Sequence, residues 1–150
     1  MNKKEIKFKQ IDLVEARANS RRVYKAIGKH WIKIFNIKKV KYVKGRCYAH
    51  PGRSEILINP LTTRLRLVSL AHEIGHVVLK HISNKKLRCV EEFEAEKFAL
   101  ALMKKYKIKF PRSRLNKGKR YVARKISMAV RRGLKRPIPK EVTRWAADVK

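Results

Sequence analysis

The chain has 150 residues, of which 41 are Lys or Arg and 11 are Asp or Glu, so its formal net charge is +30. This length suits one domain with a sizeable core, and a hydrophobic content of 44% excludes a chain disordered by composition. No apolar run approaches the ~18 residues of a membrane span, and the first residues do not resemble a secretory signal. Two cysteines make no disulfide framework, so we expect a reduced, cytoplasmic setting.

The spacing of apolar residues predicts an α+β fold, mostly helical, with a short β-hairpin or sheet in the first half. The predicted helices share a period near 3.6, and they cover residues 11–35, as one long helix or two short ones, and residues 63–83, 90–107, 112–136 and 140–149. Residues 38–48 and 55–59 instead alternate or are rich in β-formers, so they predict strands that pair as a hairpin, with Gly45 as a bulge or turn. Thr62 or Thr63 can cap the helix that follows.

His72, Glu73 and His76 form an H-E-x-x-H motif within the predicted helix 63–83. Because residues four apart share a helix face, both imidazoles can bind one Zn²⁺ ion. Glu73 lies about 100° further round the helix, where it can take a proton from water and pass it to a leaving amine. Only about 0.01 matches are expected by chance at this composition. The motif therefore predicts a catalytic zinc site.

A third protein ligand must come from outside the motif, since a catalytic zinc usually has three. His81 lies off the helix face of the motif, so we interpret it as a non-ligand. His30 and His50 are isolated histidines, for which a surface or turn position is the simpler interpretation. The candidates that remain are the glutamates of the next helix.

Four glutamates fall at the start of the predicted helix 90–107. Glu91 and Glu94 share the side that packs on the core, whereas Glu92 and Glu96 are expected to point outward. A simpler interpretation of these glutamates is that negative charge stabilises a helix N-terminus. Periodicity alone does not choose between Glu91 and Glu94 as the third ligand.

Residues 56–60 read ILINP, residues 70–76 read LAHEIGH, and residues 94–103 read EAEKFALALM. These three segments, in this order, resemble the ImmA/IrrE family of zincin metallopeptidases over roughly residues 40–105. The resemblance implies a small α+β zincin fold and site-specific proteolysis, with the Glu before Ala in the last segment as third zinc ligand. That residue is Glu94 here. Glu96 departs from the family pattern, which has Asn or Asp there, and no Pro follows Met103.

Members of the family act on DNA-binding repressors in phage, mobile-element and stress-response control, so the resemblance implies a protein substrate of that kind. We divide the chain into a zincin domain at 1–110 and a basic helical extension at 111–150. The alternative is a basic nucleic-acid-binding or structural protein, virion- or nucleoid-associated, on a zincin scaffold with little proteolysis. Glu73 favours the enzyme, because a binding protein has no need of a carboxylate beside the metal. A third possibility is a DNA-dependent protease that clears protein adducts, as SprT-like zincins do. Those proteases usually use a third His as ligand, which is missing here.

Positive charge is concentrated in the two ends of the chain. The three successive thirds carry net charges of +12, +2 and +16. Charge of this size predicts a polyanionic partner, here nucleic acid bound mainly through its backbone with little sequence preference. The expected contacts lie mainly within residues 106–136, with help from the first predicted helix. The candidate residues are Arg114, Lys117, Lys119, Arg120, Arg124, Lys125, Arg131 and Arg132.

Overall fold

The computed structural model describes residues 20–82 and 86–149, which form five α-helices and a three-stranded sheet. The helices are α1 (Ser20–Ile34), α2 (Arg64–Val78), α3 (Arg88–Lys105), α4 (Arg112–Arg131) and α5 (Lys140–Ala147). The strands are β1 (Lys39–Tyr42), β2 (Tyr48–His50) and β3 (Glu55–Ile58). The predicted small, mostly helical α+β domain is confirmed. The part of the first predicted helix at 11–19 lies outside the described residues.

The sheet has the order β1-β3-β2 and stands directly before α2 in the chain. A tight turn at Pro51–Arg53 joins β2 to β3, which run antiparallel, and this part of the predicted hairpin is confirmed. The prediction of one strand over 38–48 is wrong. Gly45 adopts φ +105° in a loop between β1 and β2, and β1 pairs parallel to β3 on its other side. Strand β2 is consequently an edge strand of the described sheet.

A first hydrophobic core lies between the sheet, α1, α2 and one side of α3. Its fully buried side chains include Trp31, Ile56, Leu67, Ile74 and Met103. Helices α2 and α3 lie close together at Gly75, where a Cβ atom would lie 3.2 Å from Ala95 and from Phe98. The absence of a side chain at Gly75 thus lets α3 pass close beside the H-E-x-x-H motif.

A second hydrophobic core joins the opposite side of α3 to α4 and α5. It consists of Cys89, Phe93, Val122, Val142 and Ala146. Helix α3 therefore contributes to both cores, and α4 packs directly on it. The division of the chain at residue 110 stays a prediction.

Helix α2 begins at a Thr cap and ends in a reversal that shapes the site. The Oγ1 atom of Thr63 accepts a hydrogen bond from the backbone N–H of Arg66, so of the two predicted caps it is Thr63 that serves. Helix α2 ends at Val78, earlier than predicted, and Lys80 takes a left-handed conformation with φ +51°. The chain then turns back, and the His81 N–H bonds to the carbonyl of His76. Among the described residues no helix is both long and apolar enough to cross a membrane.

Candidate metal centre

Three buried side chains from two helices converge on one point. The Nε2 atoms of His72 and His76, one turn apart on α2, lie 3.1 Å apart. The Oε2 atom of Glu92, from α3, lies 3.2 Å from Nε2 of His72 and 3.6 Å from Nε2 of His76. Ligands about 2.0–2.1 Å from a tetrahedral zinc are separated by about 3.3 Å, so the three atoms are spaced as such an ion requires. This donor set can hold a divalent metal.

The structure does not bring Glu94 to this histidine pair. Glu92 lies beside the two imidazoles instead. Glu92 and Glu96, four residues apart, both face α2 and are buried, so the prediction that they point outward is wrong. Glu94 is instead partly exposed and hydrogen-bonds to His81 and Lys86. Glu91 is buried, and its carboxylate pairs with Arg88 rather than with the histidines.

A chain of hydrogen bonds runs from His76 to the surface through His81. The Nδ1 atoms of His76 and His81 are 2.8 Å apart, and Nε2 of His81 lies 2.8 Å from Oε2 of Glu94. Lys86 holds both oxygens of Glu94 at 2.8 Å. If the Nδ1–H of His76 donates to His81, and the Nε2–H of His81 donates to Glu94, every group is satisfied and Nε2 of His76 remains free for a metal. His81 thus contacts the Nδ1 side of His76 rather than its Nε2 side, and its interpretation as a non-ligand stays a prediction.

His72 has its own support from α3 and α4. The Nδ1 atom of His72 lies 3.2 Å from Oε1 of Glu96, and Arg114 of α4 pairs with the same oxygen at 2.7 Å. At Gly118 a Cβ atom would come within 3.0 Å of the Glu96 carboxylate, so α4 lies directly against this group. Glu96 thereby links His72 to the basic helix α4.

The electrostatics of the cluster place one proton on the histidine pair when no metal is bound. Burial opposes charge on His72, but its contacts with Glu92 and Glu96 outweigh burial and raise the pKa of His72 to about 9. Burial lowers the pKa of His76 below its usual value. Burial alone would raise the pKa of Glu92, yet its close contacts with the two imidazoles hold that pKa well below its usual range. A divalent cation would replace this proton among the same donors.

Glu73 lies buried on α2 at the edge of the cluster and lines the cleft above it. Burial raises the pKa of Glu73 to about 7, against the opposing charge of His72. A carboxyl with a pKa near neutrality can both accept and return a proton at physiological pH. This is the property that the sequence motif requires of Glu73.

The cluster of His72, His76 and Glu92 opens into a cleft of about 510 Å³. Strand β2, which packs on α2, contributes Tyr48 and Ala49 to one side. Helix α4, which packs on α3, contributes basic residues and Tyr121 to the other side. The cleft therefore has an edge strand along one wall and a cationic helix along the other.

The residues predicted to contact nucleic acid have different environments on α4: some are ion-paired, some line the cleft and some are exposed outside it. Arg114 pairs with Glu96, and Lys119 is buried with its Nζ 2.8 Å from the Asp148 carboxylate, so neither presents a free charge. The charges of Lys117, Arg120 and Arg124 line the cleft. Lys125 lies over the ring of Tyr121 at 5.0 Å, and Arg131 and Arg132 are exposed at the far end of α4. Sequence periodicity did not show that α4 turns part of its basic surface inward.

The small α+β fold and the buried His-His-Glu cluster together define a zincin-like domain. Residues 28–124 match the family described as the IrrE N-terminal-like domain, Peptidase_M78. The match covers more than half of the chain, so the protein belongs to this family of metallopeptidases, as the resemblance predicted. Comparisons with curated proteins and with solved structures gave no match.

Proposed function

We propose that the protein is a zinc-dependent endopeptidase whose ligands are His72, His76 and Glu92. One observation carries this proposal: Glu73 lines the same cleft as the three proposed ligands His72, His76 and Glu92. A structural zinc site is normally closed by four protein ligands, whereas three ligands and access from solvent are typical of a catalytic one. A carboxylate beside the open side adds the acid–base group that hydrolysis needs.

A zinc ion bound to these donors would supply a Lewis acid that polarises the scissile carbonyl and lowers the pKa of water. Glu73 takes a proton from the attacking water on its carboxylate and returns it to the leaving amine nitrogen. The edge strand β2 can pair with an extended peptide through backbone hydrogen bonds, which would hold the scissile bond over Glu73. His81 and Glu96 keep the two ligand imidazoles in the orientation that presents Nε2.

The proposed substrate is a DNA-associated protein, such as a repressor, within a phage, mobile-element or stress-response system. The support is the resemblance stated above, together with the net charge of the chain, which would hold the enzyme near nucleic acid. Exposed Arg131 and Arg132 at the end of α4 supply cations outside the cleft for phosphate contacts. We propose that they contribute to backbone-dominated binding of nucleic acid.

Glu73→Gln tests the catalytic proposal. The substitution keeps the size of the side chain and leaves all three proposed ligands in place, so zinc content should stay at that of the wild type. Cleavage of a proteome-derived peptide mixture by the zinc-loaded protein should fall at least ~10²-fold, the usual effect of losing a general acid–base group. Undiminished cleavage by the variant would contradict the role of Glu73. Zinc binding without cleavage by the wild type would favour the non-proteolytic alternative.

Binding to a duplex DNA fragment at several salt concentrations tests the nucleic-acid proposal. Each phosphate contact contributes a slope of about −0.9 to log K against log salt, so we expect a steep decline in affinity with salt. Arg131→Gln/Arg132→Gln should reduce that slope by about 2, while a shuffled DNA sequence should change affinity little. An affinity independent of salt would show that the charge serves another purpose.

A further inference from the structure

The charge that lines the cleft is unbalanced. Its walls carry five cationic residues and three acidic ones: Arg88, Arg114, Lys117, Arg120 and Arg124 against Glu73, Glu92 and Glu96. A divalent metal on the proposed ligands would add further positive charge. The space in which a substrate must lie is therefore positive as a whole.

Two of the five cations are already neutralised by glutamates of the metal cluster. Arg88 pairs with Glu92 at 2.6 Å, and Arg114 pairs with Glu96 at 2.7 Å. The other three are Lys117, Arg120 and Arg124, which are exposed and form no ion pair or hydrogen bond with any described residue. Their charges are available to a molecule that enters the cleft.

These three cations form a row along one side of α4. Lys117, Arg120 and Arg124 are spaced by three and four residues, so they share a helix face. The first and last are separated by about 10 Å along the helix axis, at 1.5 Å per residue. An extended peptide rises about 3.3 Å per residue, so the row spans about three residues of such a peptide.

We infer that the cleft selects acidic segments of its protein substrate, and that Lys117, Arg120 and Arg124 bind their carboxylates. The inference rests on the proposed peptidase function, because it takes the polypeptide to lie across Glu73 between β2 and α4. A peptide is favoured over nucleic acid as the occupant, since the three cations line the same cleft as the hydrolytic group rather than the open surface. The row acts on specificity and takes no part in the proton transfers.

Binding to the inactive Glu73→Gln protein tests this inference without requiring turnover. The probes are fluorescein-labelled peptides of about 12 residues, enough to cross the cleft, in which Ala alternates with Glu, with Gln or with Lys. Fluorescence anisotropy should rank the Glu peptide first and the Lys peptide last. Each exposed cation–carboxylate contact contributes roughly two- to fivefold in affinity, so Lys117→Gln/Arg120→Gln/Arg124→Gln should lower the affinity for the Glu peptide about 10- to 100-fold.

The matched control is Lys97→Gln/Lys104→Gln/Lys109→Gln. These lysines are exposed and lie together on another surface, so the control removes the same net charge without touching the cleft. It should bind the Glu peptide within about twofold of the parent protein. Unchanged zinc content and circular dichroism would show that both triple variants are folded.

Equal losses in the two triple variants would overturn the inference, because net charge alone would then explain the preference. Loss of binding to a single-stranded or duplex oligonucleotide in the cleft variant, with peptide affinity unchanged, would overturn it in favour of nucleic acid. Cleavage by the wild type with no preference for acidic sequences would overturn it while the peptidase function stands. Cleft-dependent binding of the Glu peptide without any cleavage would support it and count against the peptidase function instead.

Discussion

Conservative Glu-to-Gln substitutions at Glu92 and Glu94 test which of these two glutamates is the third zinc ligand. Glu92→Gln preserves the volume of a side chain that lies buried between α2 and α3. It removes the negative charge that lies 3.2 Å from His72 Nε2 and 3.6 Å from His76 Nε2. Removal of a group that only supports a ligand typically costs 10–100-fold in metal affinity. Loss of a direct ligand should exceed about 100-fold, or about 2.7 kcal/mol.

Glu94→Gln is the matched variant, because it makes the same atomic change two residues away on the same helix. Glu94 contacts the histidine pair through His81, so loss of its carboxylate should lower the affinity for zinc by no more than about tenfold. Competition with a chromophoric zinc chelator measures both affinities. Thermal unfolding with and without excess zinc provides an independent measurement, since a ligand at 100 times its dissociation constant stabilises by about 2.7 kcal/mol.

The reverse order of effects would refute this reasoning. If Glu94→Gln lost zinc while Glu92→Gln retained it, the ligand would be the residue that the family resemblance selected. The arrangement of α3 described above would then be rotated relative to the functional one. A full zinc content in both variants would exclude each of these glutamates as a ligand.

Three further predictions concern the surroundings of the cluster. His81→Ala breaks the link between His76 and Glu94, so zinc affinity in the chelator competition should fall about 10–100-fold while the three ligands remain. Gly75→Val forces α2 away from α3, where even a Cβ would meet Ala95 and Phe98 at 3.2 Å, and chemical denaturation should show a loss of about 1–3 kcal/mol. Because the pKa of His72 is about 9 without metal, zinc must displace the proton of His72 at pH 7. Zinc affinity should therefore rise with pH up to about 9. Calorimetry in buffers of different ionisation enthalpy should detect the release of about one proton on zinc binding.

The sequence was sufficient to predict the motif helix and a small sheet before it. His72 and His76 could be paired because their spacing of four matches one turn of any α-helix, whatever surrounds it. The hairpin prediction succeeded for β2 and β3, which are joined by a turn with Pro51 and Gly52. It missed the parallel pairing of β1, since such pairing depends on where a loop carries the strand and not on residue alternation.

The proposed third ligand, Glu92, could not be identified from periodicity because α3 is apolar on more than one side. Phe93 faces the second core and Met103 faces the first, so no single polar face shows which glutamates turn inward. A usable signal was nevertheless present. Glu92 and Glu96 are four residues apart, as the two histidines are. On adjacent helices, two pairs with this spacing can face each other, each residue one turn from its pair-mate.

The contact of α4 with Glu96 has a consequence for how this protein can change over evolutionary time. Arg114 and Gly118 reach the carboxylate that supports His72, and the same helix carries the cations of the cleft wall. Substitutions on α4 can therefore alter both the ligand field and the choice of substrate while the H-E-x-x-H segment stays as it is. Under the proposed function, a change in specificity therefore requires no change in the H-E-x-x-H motif.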